Sequence, residues 1–181
     1  MKSLPPISRI RRGCPGADNP VLVKEPVRPC AFFDRDGVLN REIGYLHQID
    51  AFEWVPGAQE ALRWAKEQGY WVVVATNQSG VGRGLYTEDD FLQLSLWLLE
   101  QAEIDLIFYC PHDPDEECPA RKPGTAMFEA AAAALPIDKT RSFMIGDRQK
   151  DLDAASTFGI RSALYIGGSL LDLTMATATS V

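Results

Sequence analysis

The 181-residue sequence contains no apolar run approaching the length that crosses a bilayer, and its first residues, MKSLPPISRIRRGCPG, lack an apolar stretch followed by a small-residue cleavage site. A cytoplasmic protein without membrane contact is expected. Positive charge is scarce. The 18 Lys and Arg against 25 Asp and Glu leave a net charge of -7, which repels a nucleic-acid backbone unless a local basic patch intervenes. The one such cluster, Arg9, Arg11 and Arg12, has no interleaved aromatic residue, so it reads as a solvated arm and nucleic acid is excluded as a partner. The four cysteines, Cys14, Cys30, Cys110 and Cys118, are too few and too unevenly placed for a disulfide framework, and reduced thiols are expected. There is no internal repeat.

What is present is enough apolar residue, 46%, to give one ordinary domain a core. Residues 1–28, rich in Pro, Gly and Arg without an apolar period, read as an extended arm laid on or beside the domain. From Pro29 apolar runs alternate with helical patterns: CAFF, PGAQEALRWAKEQG, YWVVVAT, TEDDFLQLSLWLLEQ, DLIFYC, TAMFEAAAAAL, SFMIGD, QKDLDAASTFG and SALYIG. That order predicts an α/β fold, a three-layer, doubly wound parallel sheet over residues 29–168. YWVVVAT and SFMIGD lack polar alternation, as strands covered on both faces do. Thr87 with Asp90 forms a capping-box pattern, and Gly69 and Gly159 suit helix ends. Residues 169–181, ending TMATATSV, read as a frayed tail.

In an open α/β sheet the ligand crevice lies beyond the carboxyl ends of the strands. The residues found there are Asp34-Arg35-Asp36-Gly37 after the first run from Pro29, Thr76-Asn77-Gln78-Ser79 after the second, Cys110 to Lys122 after the third, and Gly146-Asp147-Arg148 after the fourth, with Asp151 further on. Asp34, Asp36 and Asp147 at one edge repel each other unless a cation sits among them, and hard oxygen ligands beside a phosphate select Mg²⁺. Phosphate-ester cleavage needs a nucleophile, a proton donor and positive charge around the phosphoryl oxygens. Asp34 and Asp36 have the spacing for the first two roles, with a bend at Gly37 turning both toward one substrate. Thr76 offers a hydroxyl, Asn77 an amide and Lys122 a compact charge. Each string alone is explained as a turn, a loop or a helix cap; their order at successive strand ends is not.

These residues resemble the haloacid dehalogenase (HAD) superfamily of phosphatases, whose four motifs are matched by DRDG, TN, Lys122 and GDRQKD. More narrowly, DRDGVLN, Gly44-Tyr45-Leu46, TNQSGVGRG, CPH and RKP look like its subclass IIIA group of D,D-heptose 1,7-bisphosphate and histidinol-phosphate phosphatases. The resemblance implies a HAD-like Rossmannoid domain with a minimal cap or none. It implies Asp34 as nucleophile, Asp36 as general acid and then base, and Mg²⁺ held by Asp34, the Asp36 backbone carbonyl and Asp147. It further implies that Thr76 and Lys122 steady the phosphoryl group, and that Glu42, Ile43, Gly44, Tyr45, Asn77, Gln78, Ser79, Arg121 and Arg148 contact substrate. A monomer acting on a small phosphorylated metabolite is expected, with the 7-phosphate of a heptose 1,7-bisphosphate first, histidinol phosphate or another sugar phosphate second, and a 3'-phosphorylated DNA end or a silent sugar-phosphate binder after those.

The sequence departs from the resemblance at a zinc loop. Cys-x-His and Cys-x-Cys are implied, whereas Cys110, His112 and Cys118 are followed by Ala120. Structural zinc is almost always four-coordinate, so this set needs Asp113, Asp115, Glu116 or a water to complete it. The alternative is a loop packed around neutral thiols.

Overall fold

Four apolar runs, each wholly buried, place their strands between two layers of helix: Cys30–Phe33, Trp71–Asn77 with only its last residue half-buried, Leu106–Cys110 and Phe143–Gly146. Strands buried on both faces are the mark of a parallel sheet, because crossover helices cover each side. The computed structural model describes residues 6–16 and 25–179.

Among the described residues the sheet has six parallel strands, β1 (Ile10–Arg12), β2 (Cys30–Phe33), β3 (Trp71–Asn77), β4 (Leu106–Cys110), β5 (Phe143–Gly146) and β6 (Arg161–Leu164), in the order β1-β4-β3-β2-β5-β6. The helices are α1 (Ala58–Glu67), α2 (Ser79–Gly82), α3 (Glu88–Gln101), α4 (Ala126–Ala134), α5 (Gln149–Phe158) and α6 (Leu170–Thr179). One core layer gathers Phe33, Leu62, Val72, Val74, Phe91 and Leu98; the other gathers Phe32, Val73, Phe108, Phe128, Met144 and Phe158. Alternate residues of each strand thus serve opposite layers, as the two-residue period of a strand requires. Thr87 and Asp90 form the reciprocal cap of α3, and Gly159 closes α5 in the left-handed region. No helix among the described residues is long and apolar enough to cross a membrane.

Two expectations about the ends fail. Part of the extended arm is a strand: Ile10, Arg11 and Arg12 pair with Ile107, Phe108 and Tyr109 and make β1 an edge of the sheet. Nor are its arginines a solvated cluster. Arg9 donates to the carbonyls of Ile104 and Asp105, Arg11 to that of Ser8, and Arg12 pairs with Glu88. The rest of that expectation, residues 1–5 and 17–24, lies outside the described residues. The frayed tail is α6, which packs along α1; Leu170 donates its backbone N–H to Pro56, and Leu170, Thr174 and Thr177 are buried. Its threonine hydroxyls are satisfied within the helix, on the carbonyls of Leu170 and Leu173, so burial costs no hydrogen bond. Residues 180 and 181 are outside the described residues.

Candidate active site

The DRDG turn follows directly from the end of β2. Asp34 is still held by the sheet, its N–H donating to Ile145, and its carboxylate accepts the N–H of Arg35. The chain then folds back, with the Arg35 carbonyl accepting from Val38, Leu39 and Asn40. Gly37 makes this possible for two reasons. Its φ is +82°, and a Cβ there would lie 2.4 Å from an Asp147 carboxylate oxygen. The bend expected at Gly37 therefore also brings the end of β2 against the end of β5.

Lys122, 1% exposed, is the charged centre of the floor. Its Nζ lies 3.0 Å from Asp34 and 2.7 Å from Asp151, and donates to the Ala75 carbonyl at 2.7 Å. Burial works against the ammonium, but the two carboxylates outweigh it and its pKa stands above the ordinary value. Reciprocal hydrogen bonds between the Asn77 side chain and the Lys122 backbone fix that segment to the end of β3. Asp34, Asp147 and Asp151 offer oxygens that all lie within 4.8 Å of one another. Burial, then Asp34 and Asp151, push the Asp147 carboxyl up to about 6, and its buried Oδ1 has no partner. An orphaned buried oxygen among three acids is what a hard cation would satisfy, so the residues present fit Mg²⁺.

Asp36 stands apart from that cluster. It accepts from Arg35, from Asn40 at 3.1 Å and from Gln78 at 2.8 Å. Arg35 is fully buried and also reaches the Leu46 carbonyl, and Gln78 is held by Tyr86 at 2.5 Å. The carboxylate is thus aimed by neighbours from three segments.

Above the floor opens a cleft of about 260 Å³, lined by Asp34, Asp36, Thr76, Gln78, Asp147 and, at its rim, Arg121 and Arg148. Glu42, Gly44, Tyr45, Asn77 and Ser79 also line it. Of the expected substrate contacts, Ile43 does not, and its side chain is 51% exposed. Across the mouth, Glu42 pairs with Arg148 at 3.1 Å, and Tyr45 accepts from Arg83 at 2.6 Å. Sequence reasoning left Arg35, Tyr86, Lys150 and Asp151 without roles. The signal for Asp151 was available as an acid at the third position of the helix that follows Arg148, where its carboxylate accepts the Arg148 N–H at 3.0 Å. Arg35 between two acids carried no comparable mark.

Beside the cleft Cys110, His112 and Cys118 come together as expected, joined by Cys14. Burial pushes the Cys14 thiol up to about 12 and the Cys110 thiol to about 11, so without a cation both are neutral. Three sulfurs and an imidazole form a soft donor set that fits zinc. Arg121 ties this cluster to the cleft by donating to the His112 carbonyl at 3.2 Å.

A family model described as HAD-hydrolase-like matches residues 119–178. A D-glycero-beta-D-manno-heptose-1,7-bisphosphate 7-phosphatase of Haemophilus ducreyi is 40% identical over 151 residues, 77% of this chain and 83% of that protein. The protein of the same name from Haemophilus influenzae is 46% identical over 134 residues, 68% of this chain and 73% of that one. The crystal structure of D,D-heptose 1,7-bisphosphate phosphatase from B. bronchiseptica, complexed with magnesium and phosphate, superposes with a TM-score of 0.70 at 30% identity, covering 84% of this chain and 88% of the other. With the parallel six-stranded sheet and the acid cluster at its carboxyl edge, these likenesses show that the chain is a phosphoric monoester hydrolase of the HAD superfamily, belonging to the D-glycero-beta-D-manno-heptose-1,7-bisphosphate 7-phosphatase family.

Proposed function

We propose that this phosphatase removes the 7-phosphate from D-glycero-D-manno-heptose 1,7-bisphosphate through an aspartyl-phosphate on Asp34. The observation that carries the reading is the pairing of Asp34 with the buried Lys122 at 3.0 Å on the floor of a cleft whose rim presents Arg121 and Arg148. A sugar with phosphates at both ends suits that layout, one phosphate on the floor and the other under the guanidinium forks. The relatives' names support the same substrate.

In the first step an Asp34 carboxylate oxygen attacks phosphorus, the ester P–O bond breaks, and Asp36 delivers a proton to the departing sugar oxygen. In the second, water attacks phosphorus, Asp36 takes up the water's proton, and orthophosphate leaves with Asp34 restored. Lys122 and the Thr76 hydroxyl hold the phosphoryl oxygens, while Arg35 and Gln78 keep Asp36 aimed. Asp34, Asp147 and the Asp36 backbone carbonyl would hold Mg²⁺, which when bound would supply positive charge for the phosphoryl oxygens. Asp151 holds the Lys122 ammonium in place at 2.7 Å.

The same reading assigns a structural zinc to Cys110, His112 and Cys118, and a monomer in the cytoplasm, where unpaired thiols persist. It takes residues 29–168 as the catalytic domain. Phosphate release measured with Mg²⁺ over a panel of heptose 1,7-bisphosphate, histidinol phosphate and short 3'-phosphorylated DNA tests it. The heptose compound is expected to lead by at least tenfold in kcat/KM. A lead by histidinol phosphate would overturn the substrate while keeping the chemistry.

A further inference from the structure

We propose that the fourth ligand of the zinc centre is Cys14, supplied by the N-terminal strand, so that one metal ion fastens the edge of the sheet to the loop beside the cleft. This rests on the zinc reading above and adds to it a ligand from outside the loop.

The geometry begins with register. β1 runs parallel to β4 with Arg12 opposite Tyr109, and Gly13 extends the pairing by donating its N–H to the Tyr109 carbonyl at 3.0 Å. Two strands leaving the sheet in step deliver Cys14 and Cys110 to the same place. Gly13 lets the strand pass close to α4, since a Cβ there would lie 2.3 Å from Cγ and 3.1 Å from Cα of Met127 and would force that residue to shift. The loop position where a cysteine is missing, Ala120, is fully buried and offers no donor.

The spacings fit one small ion. Cys14 Sγ lies 3.4 Å from His112 Nδ1 and 3.5 Å from Cys118 Sγ, and Cys110 Sγ lies 3.6 Å from the same His112 nitrogen. A tetrahedron with ligand bonds of about 2.0 to 2.3 Å has edges of roughly 3.3 to 3.8 Å. A disulfide would require the sulfurs at about 2.05 Å. The second ring nitrogen of His112 faces Glu116 at 3.8 Å, the side on which a metal-ligating imidazole keeps a carboxylate partner. Glu116 is therefore placed to orient the histidine and not to be the fourth ligand. Binding would expel the three thiol protons, leaving three thiolates and a neutral imidazole around the ion.

The test uses the full-length protein, stripped of metal under reducing conditions and titrated with Co²⁺ as a spectroscopic substitute for zinc. One ion per chain is expected, with thiolate-to-cobalt charge-transfer absorbance that falls by about one third in Cys14→Ser, as three thiolates become two of the four ligands. Glu116→Gln keeps the full absorbance. Hydrogen exchange at residues 10–12 speeds up when metal is removed from the wild type, and in Cys14→Ser is fast with metal or without. Should Cys14→Ser fail to fold, Cys14→His, which retains a donor, is expected to bind one ion with the two-thiolate spectrum. An unchanged cobalt spectrum in either variant would overturn Cys14 as ligand while leaving a zinc loop in place. A wild-type chain that takes up no ion, or that forms a Cys14–Cys118 disulfide, would overturn both.

Discussion

Two clusters of ligand-type side chains sit near the carboxyl edge of the same sheet, and they are assembled in opposite ways. The acid cluster hangs from the inner strands: Asp34 follows β2, Asp147 follows β5, Asp151 opens α5, and Lys122 lies buried between them. The thiol cluster lies at the outer side, around β4 and β1, and one of its members enters from a strand of three residues. The first is charged in the folded chain and holds itself together through an ammonium. The second is neutral without a cation and has only weak sulfur contacts until one arrives. Like charges are therefore gathered in the middle of the molecule, where many packed neighbours hold them, and neutral soft donors at its edge.

The largest expected effect breaks the inner cluster. Asp34→Asn is expected to abolish turnover in a phosphate-release assay while circular dichroism reports an intact fold; retained turnover would remove the covalent route. Lys122→Met leaves Asp34 and Asp151 buried without their cation and is expected to cost about 3–5 kcal/mol, read by denaturant unfolding of the metal-free protein. Loss of less than about 1 kcal/mol would mean that the buried pair is solvated after all. Asp36→Asn is expected to slow turnover by about 100-fold or more, with little change in Mg²⁺ affinity, because its side chain stands outside the acid cluster.

The contrast is sharpened by pH. With Asp147 raised to about 6, the group is protonated below that value and Mg²⁺ must displace the proton to bind. Affinity is then expected to fall about tenfold per pH unit below pH 6 and to level off above it. Calorimetric titration at several pH values checks this, and a flat profile from pH 5 to 7 would rule out Asp147 as a ligand. The smallest effect belongs to the rim. Glu42→Gln frees Arg148 from an exposed ion pair, and KM for a bisphosphate is expected to drop by at most about fivefold with kcat unchanged.

The inner strands were legible in the sequence because their runs, CAFF, YWVVVAT, DLIFYC and SFMIGD, are apolar without interruption, and a residue just past such a run must lie at the sheet's edge. That is why the positions of Asp34, Thr76 and Asp147 at the edge are legible in the sequence. β1 was not legible, since Ile-Arg-Arg resembles a polar arm and becomes a strand only by pairing with β4 and by tying Arg9 and Arg12 to other segments. α6 was hidden for a related reason. Thr174, Thr177 and Thr179 offset the helix preference of its Leu, Met and Ala residues, and packing on α1 makes up the difference. The same gap concealed Cys14, whose neighbours in space are about 100 residues away in the chain.

Gln78 shows how much one uncharged side chain can decide. Its amide nitrogen serves both Asp36 and the Thr76 hydroxyl oxygen, at 2.8 and 3.0 Å, and its oxygen receives Tyr86 and Arg35. Turned end for end, the amide would set oxygen against oxygen on one side and hydrogen against hydrogen on the other, so a single orientation survives. Because Thr76 is obliged to accept from that nitrogen, its own proton is left to point elsewhere, and the threonine meets whatever fills the cleft as a donor. A group with no charge thereby sets the polarity with which the pocket greets an anion.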